Sequence, residues 1–388
     1  MTNDPNIICS SLTDYSAIYI AIGVILVALF VANLVLQIGI YGRIAPFRLM
    51  NRKQIRDAEP PVSIVVPLFA EDGEYLDRGL VSLLTQEYNP FEVVVVYVGN
   101  NSDFYTDLKS LKNLYPHLTP VHIACSPRYP VSPKIAINVG IKSARYDCII
   151  TTSPDATPAS ERWLSLLARG FVYGDIVLGY CGMEYQSGLK SFIFRSYQFA
   201  TSTAWISAAI RRRTYAGSRN ALGFTKDLYF GVRGFGHLNM DIGEDDLFLQ
   251  QIATPDNVSV VLSPRATCTE RIWGGWGWWW LRVRRLHSTR YYYTQKATSV
   301  ARTELALRAL FFIVAIAAIV LLPLKFKLIT AGLVVLRYLF VLFILSRNAR
   351  RLGERGLTGR HFIYDIIEPT LRLLIAMSSH RKLGKRGY

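Results

Sequence analysis

The amino-acid sequence predicts an α/β domain with a doubly wound, largely parallel sheet, flanked by transmembrane helices. The sheet is predicted because short apolar runs rich in β-branched residues alternate with helical stretches. The apolar runs cover residues 62–69, 91–98, 148–152 and 175–180, and the helical stretches cover residues 74–85, 133–144 and 160–171. The membrane helices are predicted because 51% of the residues are hydrophobic and 19% are charged, which also excludes intrinsic disorder.

The first transmembrane helix is predicted over residues 15–41. The run from Tyr15 to Ile40 contains no charged residue and is longer than the ~20 residues that a helix needs to cross a bilayer. Acidic residues precede the run, whereas a cleaved signal peptide would carry basic residues there. Basic residues follow it, so the positive-inside rule places residues 1–14 outside as a tail and the chain after Arg43 in the cytoplasm.

A transmembrane hairpin is predicted over residues 305–346. Two apolar blocks are separated by Lys325-Phe326-Lys327, and each block is about long enough to cross the membrane. Each block contains one arginine, Arg308 or Arg337, which must reach the membrane surface or find a partner.

Residues 347–388 are predicted to form a basic cytoplasmic tail with an interfacial helix at 361–379. That stretch is apolar, but three charged residues and a proline interrupt it, so it fits a helix on the membrane better than a span. The interrupting residues are Asp365, Glu368, Pro369 and Arg372. The net charge of +16 arises in residues 282–388, which hold 20 basic and 4 acidic side chains. Because these charges alternate with apolar runs, the predicted partners are anionic membrane lipids and not nucleic acid.

Acidic and small residues follow the predicted strands. The first strand has neither a GxxxxGK loop nor a GxGxxG motif after it, which argues against kinase and dehydrogenase functions. Glu71-Asp72 follows that strand, residues 99–103 (GNNSD) follow the next, and residues 153–158 (SPDATP) follow the strand at 148–152. Because a doubly wound sheet binds its ligand at the carboxyl ends of the strands, these residues are candidates for a ligand site.

Six sequence blocks occur in order across most of residues 60–300. They are VSIVVPLFAED, TQEYNPFEVVVV, SPKIAINVGIKSARYDCIITTSPDATP, GSRNALGFTKDLYFGVRGF, GEDDLFLQ and a Trp-Arg segment before the second membrane block. Together they resemble the bacterial membrane-associated inverting glycosyltransferases of family 2. The resemblance implies a GT-A fold for residues 57–300 and transfer of a sugar from a nucleoside diphosphate donor.

The resemblance also implies a donor site with a divalent metal, Mg²⁺ or Mn²⁺. The family's metal-binding acidic motif falls on residues 153–155, where only Asp155 keeps a carboxylate. One carboxylate with phosphate oxygens and waters is an adequate ligand set, although a Pro-Asp pair also commonly closes a turn. The family's base-contacting aspartate is replaced by Val98, and Glu71 and Lys134 fall at further donor-binding positions.

The best candidates for the catalytic base lie in the sequence GEDD. Inverting transfer needs one carboxylate beside the acceptor hydroxyl, and family alignment favours Asp245, with Glu244 in support and Asp246 as the fallback. Acids placed just ahead of a short apolar helix are also tolerated by its N-terminus, so a simple capping cluster is the alternative.

Further residues are assigned to the acceptor or diphosphate side by resemblance alone. They are Arg219, Asn220, Gly234 and Arg285. Arg285 belongs to a segment, residues 271–285, that contains five of the seven tryptophans and four arginines. This composition fits a membrane-interface belt as well as it fits the family's Gln-x-x-Arg-Trp motif, in which Arg282 would replace Gln and Leu286 would replace Trp.

The predicted function is the transfer of a single sugar, with inversion, to a lipid-linked or membrane-proximal glycan acceptor. The enzyme would lie in the bacterial inner membrane, face the cytoplasm and serve the synthesis of a cell-envelope polysaccharide. The alternative is a catalytically degenerate membrane scaffold that binds a partner or a glycan. Val98 and Ser153 favour the scaffold, whereas Asp155 and the intact GEDD sequence favour the enzyme.

Overall fold

A computed structural model describes residues 5–49, 54–126, 128, 130–236, 243, 245–293 and 295–379. The strands are β1 (Val62–Leu68), β2 (Phe91–Val98), β3 (Leu118–Ile123), β4 (Cys148–Thr151), β5 (Ala156–Pro158), β6 (Ile176–Leu178), β7 (Cys181–Met183), β8 (Leu222–Thr225), β9 (Val258–Val260) and β10 (Cys268–Glu270). The α-helices are α1 (Pro5–Ile40), α2 (Val81–Leu84), α3 (Ser102–Leu114), α4 (Pro133–Ser143), α5 (Trp163–Ala168), α6 (Leu189–Ile210), α7 (Lys226–Gly231), α8 (Leu247–Ile252), α9 (Trp276–Ser288), α10 (Gln295–Leu321), α11 (Leu324–Arg351) and α12 (His361–Ser379).

The predicted sheet is present, with one strand reversed. Seven strands run in the order β3-β2-β1-β4-β8-β6-β9. All neighbouring pairs are parallel except those of β8, which is antiparallel to β4 and to β6. A smaller sheet, β5-β10-β7, lies beyond the end of β4 and brings β10 next to the loop that carries Asp155.

The central strands are buried on both faces, as their continuous apolar sequence predicts. Along β2, Val94 and Val96 belong to one apolar core, whereas Val93 and Val95 belong to the other. Helix α4 covers the first core at close range: a Cβ atom at Gly140 would lie 2.5 Å from Val65 Cγ1. This position therefore needs glycine for the helix to rest on the sheet.

In the part of the chain that the structure describes, three helices are long and apolar enough to span a membrane, as the sequence predicts. The candidate spans are Tyr19–Ile40, Ser299–Leu321 and Leu324–Arg351. Two boundaries differ from those expected. Helix α1 begins at Pro5, so residues 5–14 are helical, and their location outside the membrane stays a prediction. The break between α10 and α11 lies at Pro323, and therefore the Lys325–Lys327 turn is the start of α11.

Helix α12 is amphipathic and packs against α9, α10 and α6. Its exposed stripe contains Phe362, Ile366, Leu373 and Met377. The charged residues that interrupt its apolar sequence point inwards, since Asp365 is 2% exposed and Glu368 is 4% exposed. The placement of α12 on a membrane surface stays a prediction.

The two arginines predicted within the membrane segments have found partners. Arg308 of α10 donates to Asp365 and to Glu368, each over 2.9 Å, and Arg337 of α11 also donates to Asp365. Glu304 lies 3.4 Å from Arg308 and accepts a hydrogen bond from Gln37 of α1. This cluster joins α12 to all three candidate spans.

Candidate active site

Glu71 joins the carboxyl ends of β1 and β2. Its Oε1 atom accepts a hydrogen bond from the Tyr97 hydroxyl over 2.7 Å, and its Oε2 atom accepts one from Asn101 Nδ2 over 2.9 Å. These bonds, that of Asn101 first, lower the pKa of Glu71. The carboxylate is therefore a fixed, exposed acceptor at the sheet edge where the sequence predicts the donor.

An aromatic shelf lies beside Glu71, and the sequence analysis missed it. His122 stacks on Tyr97, with ring centroids 5.5 Å apart, and on Tyr105, with centroids 4.8 Å apart. The His122 ring is oriented by a contact of 2.7 Å between Nε2 and the Gly99 carbonyl oxygen. His122 is the exposed ring of this stack, whereas Tyr97 is fully buried, so His122 is the ring suited to stacking a nucleobase. The three residues lie on different elements, so no local motif marks them.

Val98 does not line this surface. Its side chain is 3% exposed and belongs to the apolar core on the α4 side of the sheet. The reason is strand alternation, because Tyr97 points to the face that holds Glu71 and the next residue must point to the other. The expectation that Val98 contacts the donor is corrected accordingly.

Asp155 is held by the segment that follows β10. Its Oδ1 atom accepts a hydrogen bond from Trp273 Nε1 over 2.9 Å, and its carbonyl oxygen accepts one from the Arg271 N–H over 2.9 Å. Burial raises the pKa of Asp155, whereas the Trp273 bond and the charges of Arg219 and Arg282 oppose the rise. The carboxylate is thus partly desolvated and flanked by cations.

Three buried polar atoms near these loops have no hydrogen-bond partner in the described part of the chain. They are Ser153 Oγ, Tyr75 Oη and Asn220 Oδ1. Ser153 precedes Asp155 by two residues, and Asp155 acts on the pKa of Tyr75, so both lie close to this carboxylate. An unsatisfied hydroxyl beside a carboxylate is a suitable oxygen pair for a hard divalent cation.

Asp155 does not belong to a cluster of metal-binding side chains among the described residues. No group of three His, Cys, Asp or Glu side chains that could hold a metal ion occurs in the parts of the chain that the structure describes. A metal here would need phosphate oxygens and waters to complete its ligand set, which Mg²⁺ commonly uses. Asp155 and Ser153 fit a metal that arrives with a diphosphate.

Arg282 is fixed by Glu270 at the end of β10. Its two terminal nitrogens donate to the two Glu270 oxygens, each over 2.6 Å. Glu270 is 2% exposed, and this two-point contact aims a guanidinium towards the loop of Asp155. Arg285, one turn further along α9, is exposed.

The tryptophans of residues 271–285 are divided between core and surface. Trp279 is buried and stacks on Phe194 of α6, with ring centroids 4.8 Å apart. Trp273 and Trp276 are about half exposed. Neither a membrane belt nor a ligand site accounts for the whole segment, because the buried ring is a structural anchor.

The two aspartates of the GEDD loop differ in burial and in contacts. Asp246 is 6% exposed and caps α8: its Oδ1 atom accepts the Leu247 N–H, and its Oδ2 atom accepts the hydroxyls of Thr289 and Tyr293. The capping interpretation therefore describes Asp246, which is a poor fallback base.

Asp245 is half-buried, and its carbonyl oxygen accepts the Gly217 N–H over 2.9 Å. Glu244 lies outside the described residues.

The other predicted site residues differ in position. The Arg219 carbonyl oxygen accepts the Thr151 hydroxyl over 2.8 Å, which places Arg219 at the end of β4. Lys134 is 9% exposed in the first turn of α4, and Asn220 is 2% exposed with its amide directed to Cys181 Sγ.

Gly234 has φ = +60°, and a Cβ atom there would lie 2.6 Å from the Tyr229 ring. The backbone conformation and the close ring explain Gly234 by folding, whereas Asn220 keeps an amide oxygen without a partner among the described residues.

The model of glycosyl transferase family 21 matches residues 20–358. The chain belongs to glycosyl transferase family 21. The expected family was family 2, so the glycosyltransferase assignment is confirmed and the family number is corrected. Most of the chain lies in the matched region of this family 21 glycosyltransferase, including two candidate spans and all of the first one except Tyr19.

Solved structures give the fold of the family 21 glycosyltransferase. A mannosyltransferase of Pyrobaculum calidifontis, in complex with GDP-Man and Mn²⁺, is similar with a TM-score of 0.52 and 17% identity, over 91% of this chain and 99% of that one. TarS residues 1–349 of S. aureus, in complex with UDP-GlcNAc, has a TM-score of 0.40 and 14% identity, over 84% of this chain and 93% of that one. None of the curated proteins compared with the chain matches it. The GT-A-like fold is confirmed.

Proposed function

We propose that the protein transfers one sugar, with inversion, from a nucleoside diphosphate donor to a lipid-linked or membrane-proximal glycan acceptor. The observation that supports this most directly is Asp155, a partly desolvated carboxylate at the end of the sheet with Arg219 and Arg282 nearby. Cations and a metal-binding oxygen at one strand end are what a diphosphate needs. The donor class is also supported by the GDP-Man complex of the similar mannosyltransferase.

Asp155 and Ser153 would hold a divalent metal on the donor diphosphate. The Mn²⁺ of the mannosyltransferase complex supports this choice of cofactor. When bound, the metal would neutralise charge on the diphosphate. Independently of it, Arg282, oriented by Glu270, stabilises the negative charge that develops as the diphosphate leaves.

Asp245 is the proposed general base. It takes the proton from the acceptor hydroxyl while the acceptor oxygen bonds to the anomeric carbon of the sugar. The bond between that carbon and the diphosphate oxygen breaks, and the diphosphate leaves with the electron pair. Attack from the face opposite the leaving group inverts the configuration. Asp246 keeps the loop in place through the α8 cap and Tyr293.

A membrane-proximal acceptor is supported by the elements that surround the site. Helix α9, which supplies Arg282, packs against α12 and leads through residues 289–293 into the candidate span of α10. Helix α6, on which Trp279 stacks, contacts the end of α1 through a hydrogen bond from Ser207 to the Ile40 carbonyl oxygen. We place the catalytic domain at the cytoplasmic face of a bacterial inner membrane, where it would serve the synthesis of a cell-envelope polysaccharide.

Nucleotide binding distinguishes this enzyme from the alternative scaffold. Two observations favour the scaffold. Val98 is buried, and Asp155 Oδ1 already accepts a hydrogen bond from Trp273. Calorimetry of the purified full chain with GDP, UDP and other nucleoside diphosphates should detect binding in Mn²⁺ and its loss in chelator. Absence of binding to the whole panel in Mn²⁺ would contradict the proposed function.

A single product is the second expected outcome. Arg282 and Leu286 occupy the positions at which processive relatives are expected to have Gln and Trp. In addition, the three candidate spans of the described residues are few for a channel that would conduct a polymer. Mass spectrometry of products from the purified protein, a donor and a membrane extract should reveal one added sugar per acceptor. Long ladders of added sugars would contradict this part of the proposal.

A further inference from the structure

An apolar groove lies between the end of α1 and the last part of α11. It has a volume of about 240 Å³ and is lined on one side by Ile38 and Ala45 and on the other by Phe340, Phe343 and Arg347. Phe340 and Arg347 are seven residues apart, so the groove follows α11 for roughly 10 Å. It borders two candidate spans at the end near the catalytic domain, and three of the apolar side chains that line it, Ile38, Phe340 and Phe343, are exposed.

The groove ends at a rim of basic side chains. The guanidinium of Arg347 lies 5.4 Å from the centre of the Phe343 ring. One turn further, Arg351 donates to the Phe47 carbonyl oxygen over 3.1 Å, which brings it to the loop after α1. That loop also carries Arg43 and Arg48, both exposed. We refer to Arg43, Arg48, Arg347 and Arg351 as the cationic rim.

No member of the cationic rim forms an ion pair with a carboxylate of the described residues. The buried arginines nearby behave differently, since Arg308, Arg337 and Arg372 all pair with Asp365 or Glu368. The negative end of the α11 helix dipole explains a cation at Arg351. It does not explain Arg43 and Arg48, which lie in the loop after α1. The rim therefore presents positive charge to an anion from outside the chain.

The same edge continues onto α6 with further positive charge. Ser207 of α6 contacts the last residue of α1, and Arg211 follows one turn later. Burial, together with the nearby charges of Arg213 and Arg43, lowers the pKa of Arg211. Cations that repel one another at a membrane boundary are stabilised by anionic headgroups.

We propose that the groove binds one anionic glycerophospholipid, with an acyl chain along Phe340 and Phe343 and the phosphate beside Arg347 and the rest of the cationic rim. A single groove that is apolar along its length and cationic at its membrane-surface end matches this ligand in both parts. The site is distinct from the candidate active site and does not depend on the proposed sugar transfer.

Lipid retention by the purified full chain tests the proposal. The protein in detergent is mixed with equal amounts of phosphatidylglycerol and phosphatidylcholine of the same acyl length, and native mass spectrometry counts the bound lipids. One phosphatidylglycerol should be retained about tenfold more than phosphatidylcholine, a preference of roughly 1.4 kcal/mol. Equal retention of both lipids would overturn the proposal, as would retention of neither.

Variants separate the two parts of the site. Arg347→Gln with Arg43→Gln should abolish the preference for phosphatidylglycerol, whereas Arg347→Lys should keep most of it. Arg360→Gln is the matched control, because Arg360 is exposed and also lacks a carboxylate partner among the described residues. An unchanged preference in the double variant would overturn the role of the rim.

The acyl part is tested by filling the groove. Ala45→Phe should reduce retention of phosphatidylglycerol about tenfold, and Ala331→Phe, at an exposed position elsewhere on α11, should not. Free glycerol phosphate should not displace the lipid; displacement at equal concentration would show a plain anion site and overturn the proposal. If Ala45→Phe does not fold, the comparison of Arg347→Gln with Arg347→Lys and the competition by glycerol phosphate still decide.

Discussion

Trp273 donates its indole N–H to Asp155 Oδ1 over 2.9 Å and thereby joins the segment after β10 to the loop after β4. The carboxylate proposed to bind the metal is therefore already held by a protein donor. Arg271, whose guanidinium lies 4.5 Å from the Trp273 ring centre, extends this contact to Glu74 over 3.4 Å. This bond uses Oδ1, so a metal would bind Asp155 through Oδ2 or displace the indole.

The raised pKa of Asp155 predicts a pH-dependent effect on stability. A carboxyl whose pKa is higher in the folded than in the unfolded chain favours folding at low pH, and this contribution is lost as the pH rises through the folded pKa. Asp155→Asn should therefore raise the Tm at pH 8, and the gain should vanish as the pH approaches 4. Scanning fluorimetry measures both, with Asp107→Asn on the exposed side of α3 as the control. A lower Tm of Asp155→Asn at pH 8 would contradict the account.

Adding a carboxylate should have opposite results at two positions. Ser153 has an unpartnered hydroxyl near Asp155, so Ser153→Asp should strengthen nucleotide binding in Mn²⁺ by about tenfold, or roughly 1.4 kcal/mol. Val98 lies in the apolar core, and Val98→Asp should lower the Tm without improving binding, because it buries a charge without a partner. Calorimetry and scanning fluorimetry measure the two effects. Stronger binding by Val98→Asp at an unchanged Tm would refute its assignment to the core.

The sequence predicted those parts of the molecule that depend on local pattern. β1, β2 and β4 match the predicted apolar runs almost to the residue, and α4 matches the predicted helix, because burial on both faces imposes an unbroken apolar sequence. The three candidate spans follow from length and hydropathy in the same way.

The parts that could not be predicted depend on pairs that are distant in sequence. Arg308 and Asp365 are 57 residues apart, so the charges that interrupt the apolar pattern of α12 gave no sign of their partners. Asp245 and Asp246 are equivalent in a motif, and the capping acid is distinguished by contacts that include the hydroxyls of Thr289 and Tyr293, 43 and 47 residues later. The periodic pattern of apolar residues does not predict contacts between residues that are distant in sequence.

The buried ion cluster should contribute strongly to stability. Asp365→Asn leaves Arg337 and Arg308 with one anionic partner fewer, which should cost roughly 3–5 kcal/mol, as breaking a buried pair does. The matched control is Asp256→Asn, which breaks the exposed pair with Arg212 and should cost less than ~1 kcal/mol. Thermal unfolding in detergent compares the two. An equal fall in Tm would argue against the cluster as the link between α12 and the spans.

The membrane orientation predicts the location of reporters. A fusion after Arg56, on the side of the basic residues that follow α1, should behave as cytoplasmic, and a fusion at Pro323, between α10 and α11, should behave as external. Paired phosphatase and fluorescent-protein fusions at both positions provide the measurement. The reverse pattern would place the candidate active site on the side without nucleotide sugars.

The most direct test of the central claim compares turnover and donor affinity in Asp245→Asn and Asp246→Asn. Asp245→Asn removes the proposed base, so turnover should fall by roughly 10²–10⁴-fold while the Kd for the donor is unchanged. Asp246→Asn should stay within about tenfold of the wild-type turnover, because asparagine also caps a helix and its amide can donate to the hydroxyls of Thr289 and Tyr293. Equal turnover of Asp245→Asn and the wild-type protein, or a loss confined to Asp246→Asn, would contradict the assignment of Asp245 as the catalytic base.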